Sequence, residues 1–198
     1  MIRLIFATNN DNKVREIQQA IGSRIKVESL KEAGINIDIA EPFNSLEENA
    51  VEKARTIFEL SSENCFSEDT GLEVASLGGA PGVKSARYAG EGRSSEDNNT
   101  RLLSELSGAV DRKARFRTVI CLIWNRTYYT FEGICEGVIL TEKRGSGGFG
   151  YDPVFIPDGS DKTFAEMDLV EKNQFSHRKK AAEKLTLFLQ ELTGRIPV

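Results

Sequence analysis

Residues 114–124 restrict the possible folds of this chain more than any other stretch. Phe116, Val119, Ile120, Leu122, Ile123 and Trp124 put apolar side chains on both faces of one extended run. A strand with one wet face alternates apolar and polar residues, so a strand apolar on both faces is central and covered on both sides. Asn125-Arg-Thr127 supplies a turn, and Tyr128 to Leu140 reads as the antiparallel return.

Upstream, Ile2 to Ala7 is a short apolar run that reads as a buried strand. Thr8, Asn9, Asn10, Asp11 and Asn12 form a polar loop. A helix is expected from near Lys13, with Val14, Ile17 and Ile21 on one face and Gly22 as its stop. Strand, polar loop, helix is the layout in which a loop and a helix N-terminus bind phosphate, although no Walker pattern is present. The same residues suit an ordinary connection in which Asn and Asp supply the turns. Ile25 to Ser29 and Ile35 to Ile39 read as further strands, and Glu41-Pro42 ends the second. Ser45-Leu-Glu-Glu48 is a capping box. It opens a helix to near Leu60 that buries Leu46, Ala50, Ala54, Ile57 and Phe58, with Lys53 on another face, solvated or available for another role. Cys65 to Val74 reads as strand, tight turn at Thr70-Gly71, strand, with the adjacent acids Glu68 and Asp69 beside the turn. Gly78-Gly-Ala-Pro-Gly82 marks a long loop, and Ser94 or Ser95 opens a helix carrying Leu102, Leu103 and Leu106. A last helix is expected to start with Ser176 as N-cap and to bury Ala181, Leu185, Phe188, Leu189 and Leu192.

The chain has 198 residues, enough for one domain or two closely joined lobes. A net charge of −4 argues against a protein that coats nucleic acid or an anionic membrane, but a small anionic ligand needs only a local positive pocket. Cys65, Cys121 and Cys135 are odd in number and lack any C-x-x-C spacing, so neither a disulfide framework nor a zinc site is indicated. They read as reduced core thiols of a cytoplasmic protein. Met1 to Ala7 is too short for a signal sequence, and no apolar run is long enough to span a membrane.

Gly145-Ser-Gly-Gly-Phe-Gly-Tyr-Asp-Pro153 spells the dinucleotide fingerprint G-x-G-x-x-G, but that fingerprint must open a helix. Here Pro153 and the extended Val154-Phe155-Ile156 follow instead. The stretch reads either as a glycine loop presenting Phe149, Tyr151 and Asp152 to a flat ligand or as a strained turn whose rings fill core space. Ser176-His177-Arg178 puts cations in a first helical turn, where they oppose the helix dipole. A ligand acceptor or anion would offset that cost, and an exposed helix start would reduce it.

These stretches together supply Lys13, Lys172, His177 and Arg178 as cations, Glu41, Glu68 and Asp69 as acids, and a stacking loop. Mg²⁺ takes one or two carboxylates plus phosphate oxygens, and water attack on phosphorus needs a base. The set fits a Mg²⁺-dependent nucleotide hydrolase. No Cys–His signature or Gly-x-Ser-x-Gly suggests covalent catalysis.

Eight stretches in order carry a resemblance across essentially the whole length. They are Phe6-Ala-Thr-Asn-Asn10 with Lys13, Glu48-Asn-Ala50 with Lys53-Ala54, Glu68-Asp-Thr-Gly-Leu72, Gly78-Gly-Ala-Pro-Gly82, Ser85-Ala-Arg-Tyr88, Gly147-Gly-Phe-Gly-Tyr-Asp-Pro153, Glu171-Lys172 and Ser176-His-Arg178. The chain resembles the inosine triphosphate pyrophosphatase family, which removes noncanonical purine nucleotides. The resemblance implies an α/β fold over residues 1–198: an elongated mixed β-sheet, flanking helices, and two lobes around a central nucleotide-binding cleft. It implies a homodimer that converts ITP, dITP and XTP to the monophosphate and pyrophosphate. By position, Thr8, Asn9, Asn10, Asp11, Asn12 and Lys13 would hold phosphates, with Lys53 a weaker candidate. Asp69 would be base and Mg²⁺ ligand, and Glu41 the second metal carboxylate. Thr70 would touch substrate and Phe149 would stack on the base. Gly150, Tyr151, Asp152, Lys172, His177 and Arg178 would surround it.

Two departures stand out. Many relatives have Asp-Asp-Ser-Gly where this chain has Glu68-Asp69-Thr70-Gly71, which leaves the role of Glu68 open. Glu41-Pro42-Phe43 replaces a more frequent Glu-Thr-Gly, which affects how Glu41 is placed. Two other readings remain at this level: a nucleotide-binding protein without catalysis, and a pyrophosphatase for modified pyrimidines. The retained acids argue against the first and the Phe149–Asp152 loop against the second.

Overall fold

The computed structural model describes residues 2–92 and 94–194. The elements in chain order are β1 (Ile2–Phe6), α1 (Asp11–Ile21), β2 (Ile25–Glu28), α2 (Leu46–Ser61), β3 (Cys65–Val74), β4 (Pro81–Gly82), α3 (Ser95–Glu105), β5 (Lys113–Trp124), β6 (Thr127–Ile139), β7 (Phe155–Pro157), α4 (Leu169–Lys172) and α5 (His177–Leu192). The strands form a mixed seven-stranded sheet in the order β2-β1-β3-β5-β6-β7, with β4 on β3. β1 runs parallel to β2 and β3, whereas β4 on β3 and β7 on β6 are antiparallel.

By contacts, the chain divides into two compact units. One holds the chain up to Asp69, Thr118–Gly133 and the chain from Arg178; the other holds Thr70–Arg117 and Ile134–His177. In the first, α1 contributes Ile17 and Ile21 and α5 contributes Ala181, Leu185 and Leu189 to a core with Leu4, Phe6, Phe66, Ile120 and Leu122. Phe6 and Phe66 are paired across β1 and β3, and their rings stack at 4.4 Å. In the second, Leu102 of α3 and Leu106 just after it join Leu72, Val74, Phe116, Phe155 and Phe164.

β5 meets the expectation of a strand covered on both faces: Val119 to Ile123 are at most 2% exposed. Its turn into β6 places Asn125 and Arg126 at φ 49° and 66°, the paired positive values of a two-residue hairpin loop. α1 begins at Asp11, two residues before the expected start, because Asn10 caps it. Ser45 caps α2 and accounts for Glu48 as expected.

Three expectations fail. Residues 35–39 alternate between half-buried and exposed but join no ladder; the period of two marks extended chain on a surface, not a paired strand. β3 runs unbroken through Thr70-Gly71. Gly71 is required by close approach, since a Cβ there would lie 2.7 Å from the Gly82 carbonyl oxygen, so glycine marks a tight backbone contact and no turn. Leu192, expected in the core, is 45% exposed at the end of α5.

The three thiols are free and buried. Burial pushes Cys65 and Cys121 up to about 12, with Cys121 adding to the effect at Cys65. The thiolate is the reactive form, so neither will react with a disulfide reagent at pH 8 while the protein is folded. In denaturant all three should titrate; rapid native labelling at Cys65 or Cys121 would contradict this packing.

Candidate active site

The polar loop after β1 is built by its own side chains. Thr8 Oγ1 accepts the Asn10 N–H (3.1 Å), Asn10 Oδ1 accepts the Lys13 N–H (3.1 Å), and Asn9 Oδ1 accepts the Lys31 N–H (3.1 Å). The Thr8 carbonyl is fixed by the Leu30 N–H at 3.1 Å. These side chains therefore shape the loop, while the first-turn amides of α1 and the Lys13 ammonium form its positive end.

β3 carries Glu68 and Asp69 side by side, and successive strand residues face opposite ways. Glu68 meets Arg178 of α5 in a two-point pair, accepting from Nε at 2.6 Å and Nη2 at 2.9 Å. Lys13 of α1 lies 3.2 Å from Glu68 Oε1, and Arg178 Nη1 donates to Glu16. Arg178 is 2% exposed, so the reading of an exposed helix start does not apply. Burial works against its charge, but Glu68 and Glu16 outweigh that and raise its pKa further above an already high value. The open role of Glu68 is thus to hold Arg178 and Lys13.

Asp69 faces α2. Lys53 Nζ donates to Asp69 Oδ1 at 2.8 Å and to Glu41 Oε1 at 2.7 Å. Lys53 is buried rather than solvated. Burial lowers its pKa, but Asp69 and Glu41 more than compensate and raise it. Burial raises the pKa of Asp69, Lys53 opposes that, and Glu41 adds to it, leaving the carboxyl above its ordinary range. The placement of Glu41 before the unusual Pro42-Phe43 has a local cause. Asn49 of α2 accepts the Phe43 N–H at 3.0 Å and donates to the Phe43 carbonyl at 3.1 Å, pinning this segment against the helix.

A second group of expected residues lies in the other unit. Gly148 has φ 71°, and a Cβ there would fall 2.1 Å from Asp152 Oδ2. That oxygen accepts the Phe149 N–H at 2.9 Å and the Lys172 ammonium at 2.6 Å. Asp152 thus closes the glycine loop on itself, and Lys172 Nζ sits 5.1 Å from the Phe149 ring centroid. The Tyr151 hydroxyl donates to the Ser85 carbonyl at 2.8 Å. His177 stacks on Phe116 with centroids 4.6 Å apart. Thr70 follows Asp69 on β3, half-buried.

The structure therefore joins Lys13, Glu41, Lys53, Glu68, Asp69 and Arg178 within one unit and Phe149, Tyr151, Asp152, Lys172 and His177 within the other. Arg178 belongs to the unit that holds Glu68, and the glycine loop to the other. Glu16 and Asn49 were missed. Glu16 had one usable signal, since it lies three residues after Lys13 and so one turn along the same side of the helix.

The set of donors fits a hard divalent ion, because two carboxylates, Glu41 and Asp69, converge on a single cation, the Lys53 ammonium.

Comparison with known proteins gives a consistent outcome. The Ham1 family model matches residues 4–188. A dITP/XTP pyrophosphatase of Christiangramia forsetii is 47% identical over 190 residues, covering 96% of this chain and all of that protein (100%). One from Porphyromonas gingivalis is 49% identical over 190 residues, covering 96% of this chain and 98% of its own. The solved structure of the Staphylococcus aureus Ham1 protein superposes with a TM-score of 0.87 at 36% identity, covering 96% of this chain and 99% of that one.

Proposed function

This chain belongs to the Ham1 family, and from that premise we propose that it hydrolyses ITP, dITP and XTP to the nucleoside monophosphate and pyrophosphate. The activity keeps these purines out of the pool from which DNA and RNA are made. The observation that carries the reading is the carboxylate pair, buried Asp69 and half-buried Glu41, gathered on the buried Lys53. A protein that only bound nucleotides would have no use for a buried base.

Glu41 and Asp69 would hold Mg²⁺, which when bound neutralises phosphate charge and acidifies water. Asp69 takes the proton of the attacking water, and its raised pKa strengthens it as a base. Lys13 and the start of α1 receive the negative charge of the triphosphate. Lys53 is a further phosphate donor. Glu68 and Glu16 keep Arg178 fixed and charged.

The Phe149 ring offers a stacking face for the purine, and the Lys172 ammonium beside it offers donors. Hypoxanthine and xanthine present a 6-keto acceptor there, whereas adenine presents a 6-amino donor. Unpaired buried donors can discriminate by about 10⁴-fold. A homodimer and a cytoplasmic location complete the proposal; the first follows from the family resemblance and the second from three free buried cysteines. The net charge of −4 supports a small-molecule substrate over nucleic acid. Among the described residues no helix is long and apolar enough to cross a membrane.

Purified protein with Mg²⁺ should release pyrophosphate from ITP, XTP and dITP, and far less from ATP, GTP and dTTP. Chelation with EDTA should stop the reaction and added Mg²⁺ restore it. Orthophosphate as the product would overturn the reaction type, and equal rates on ATP and ITP would overturn the selectivity.

A further inference from the structure

α3 carries two consecutive asparagines, Asn98 and Asn99, both buried. Asparagine is a poor residue for a helix interior because its amide competes for backbone groups, so two in a row inside a core call for a cause. Asn98 accepts the Ala89 N–H at 2.6 Å and donates to the Ala86 carbonyl at 3.0 Å, fixing the segment whose Ser85 carbonyl receives the Tyr151 hydroxyl. Asn99 reaches the glycine loop itself. Its Nδ2 donates to the Gly150 carbonyl at 2.9 Å and to the Ser95 carbonyl at 2.8 Å.

The amide orientation of Asn99 is set by chemistry, since two carbonyl oxygens face one end and only the NH₂ group can answer them. Asn99 Oδ1 meets no hydrogen-bond partner among the described residues, although the residue is 2% exposed. What the buried amide contributes is therefore donor capacity, directed at Gly150. That peptide is a soft point. Gly150 has φ 61° and tolerates both signs of φ, so rotating the Gly150–Tyr151 peptide costs little unless its carbonyl is held. Phe149 precedes Gly150 and Tyr151 follows it, so a turn of that peptide changes the path of the chain between the two rings.

We propose that Asn99 is a positioning residue for purine recognition, acting through the Gly150 carbonyl to hold Phe149 in place for the base. The proposal rests on the base-binding role given above to the Phe149 loop. It requires that loss of the donor weaken the base end of the substrate and leave the phosphate end alone.

The test uses Asn99→Ala, which deletes the donor, and Asn99→Asp, which sets a carboxylate oxygen against two carbonyl oxygens in the same shape. In the full-length Asn99→Ala variant KM for ITP should rise about tenfold, the weight of one hydrogen bond and the carbonyl it leaves unpaired. kcat and the inhibition constant of inorganic pyrophosphate should stay at their wild-type values, and Asn99→Asp should raise KM further. In the protein without nucleotide, amide exchange at Phe149 and Asp152 should quicken while β1 and β5 keep their protection. This ligand-free arm reads the loop whether or not the wild type turns over ITP, so a failed activity reading is told apart from a failed positioning role. Unchanged exchange in the loop of Asn99→Ala would overturn the proposal, as would parallel weakening of ITP and pyrophosphate.

Discussion

Asp69→Asn will lower turnover of ITP by about 10³-fold or more while leaving nucleotide binding measurable. The substitution keeps the size and shape of the side chain, so β3 and the packing around Phe66 and Leu72 are undisturbed. The amide cannot accept the water proton, and it removes one of the two carboxylates that converge on Lys53. The buried ammonium then has Glu41 as its remaining carboxylate in that pair, so the variant should also melt somewhat lower, by an amount calorimetry can read. Pyrophosphate release under Mg²⁺ gives the rate, and titration calorimetry with ITP gives the affinity. A rate within about tenfold of wild type would fall below the roughly 10²–10⁴-fold that a general base contributes and would take Asp69 out of that role.

The two carboxyl neighbours on β3 also mark the limit of what sequence could say about this site. Adjacency drew attention to Glu68 and Asp69, but their separate roles depend on which face of the strand each occupies. That follows only once β3 is seen to run straight through Thr70-Gly71. Gly71 pointed to a turn because glycine marks both turns and close backbone approach, and sequence spells both alike. Helices were legible to within a residue or two wherever a capping side chain stood ahead of an apolar face, as at Ser45 and Ser94. The hairpin of β5 and β6 was legible because its strands are long, although Thr127, read as part of the turn, opens β6 and leaves a two-residue loop. Residues 35–39 were misread because alternation reports an extended chain and says nothing about a partner. Asn49 was out of reach for a related reason, since it acts on the backbone of Phe43 and such pairing has no local signature; at Glu16 the spacing from Lys13 marked a shared side of the helix but not the distant partner, Arg178.

Arg178 yields the largest expected effect on stability. Its guanidinium is enclosed by Glu68 and Glu16, and all three side chains are buried. Replacing it with Met removes the buried cation between two buried carboxylates and leaves Lys13, 3.2 Å from Glu68, to offset part of their charge, a change that costs about 3–5 kcal/mol. The loss should depend on pH with a definite sign. In Arg178→Met, burial raises the folded-state pKa of Glu68 and Glu16 above the unfolded value of about 4.3. Groups raised in this way stabilise fully below the unfolded pKa, and the benefit is lost as pH rises through the folded pKa. Urea midpoints of the variant should therefore fall more steeply than those of wild type between acidic and neutral pH. Adding Glu16→Gln and Glu68→Gln removes the stranded charges, and the triple variant should regain most of the stability, because apolar or neutral replacements of buried ion clusters are often tolerated. It should not regain activity, since Lys13 loses the carboxylate 3.2 Å away that helps hold it. A single variant as stable as wild type at neutral pH would contradict the buried charge cluster. A triple variant with normal turnover would show that the cluster serves folding alone.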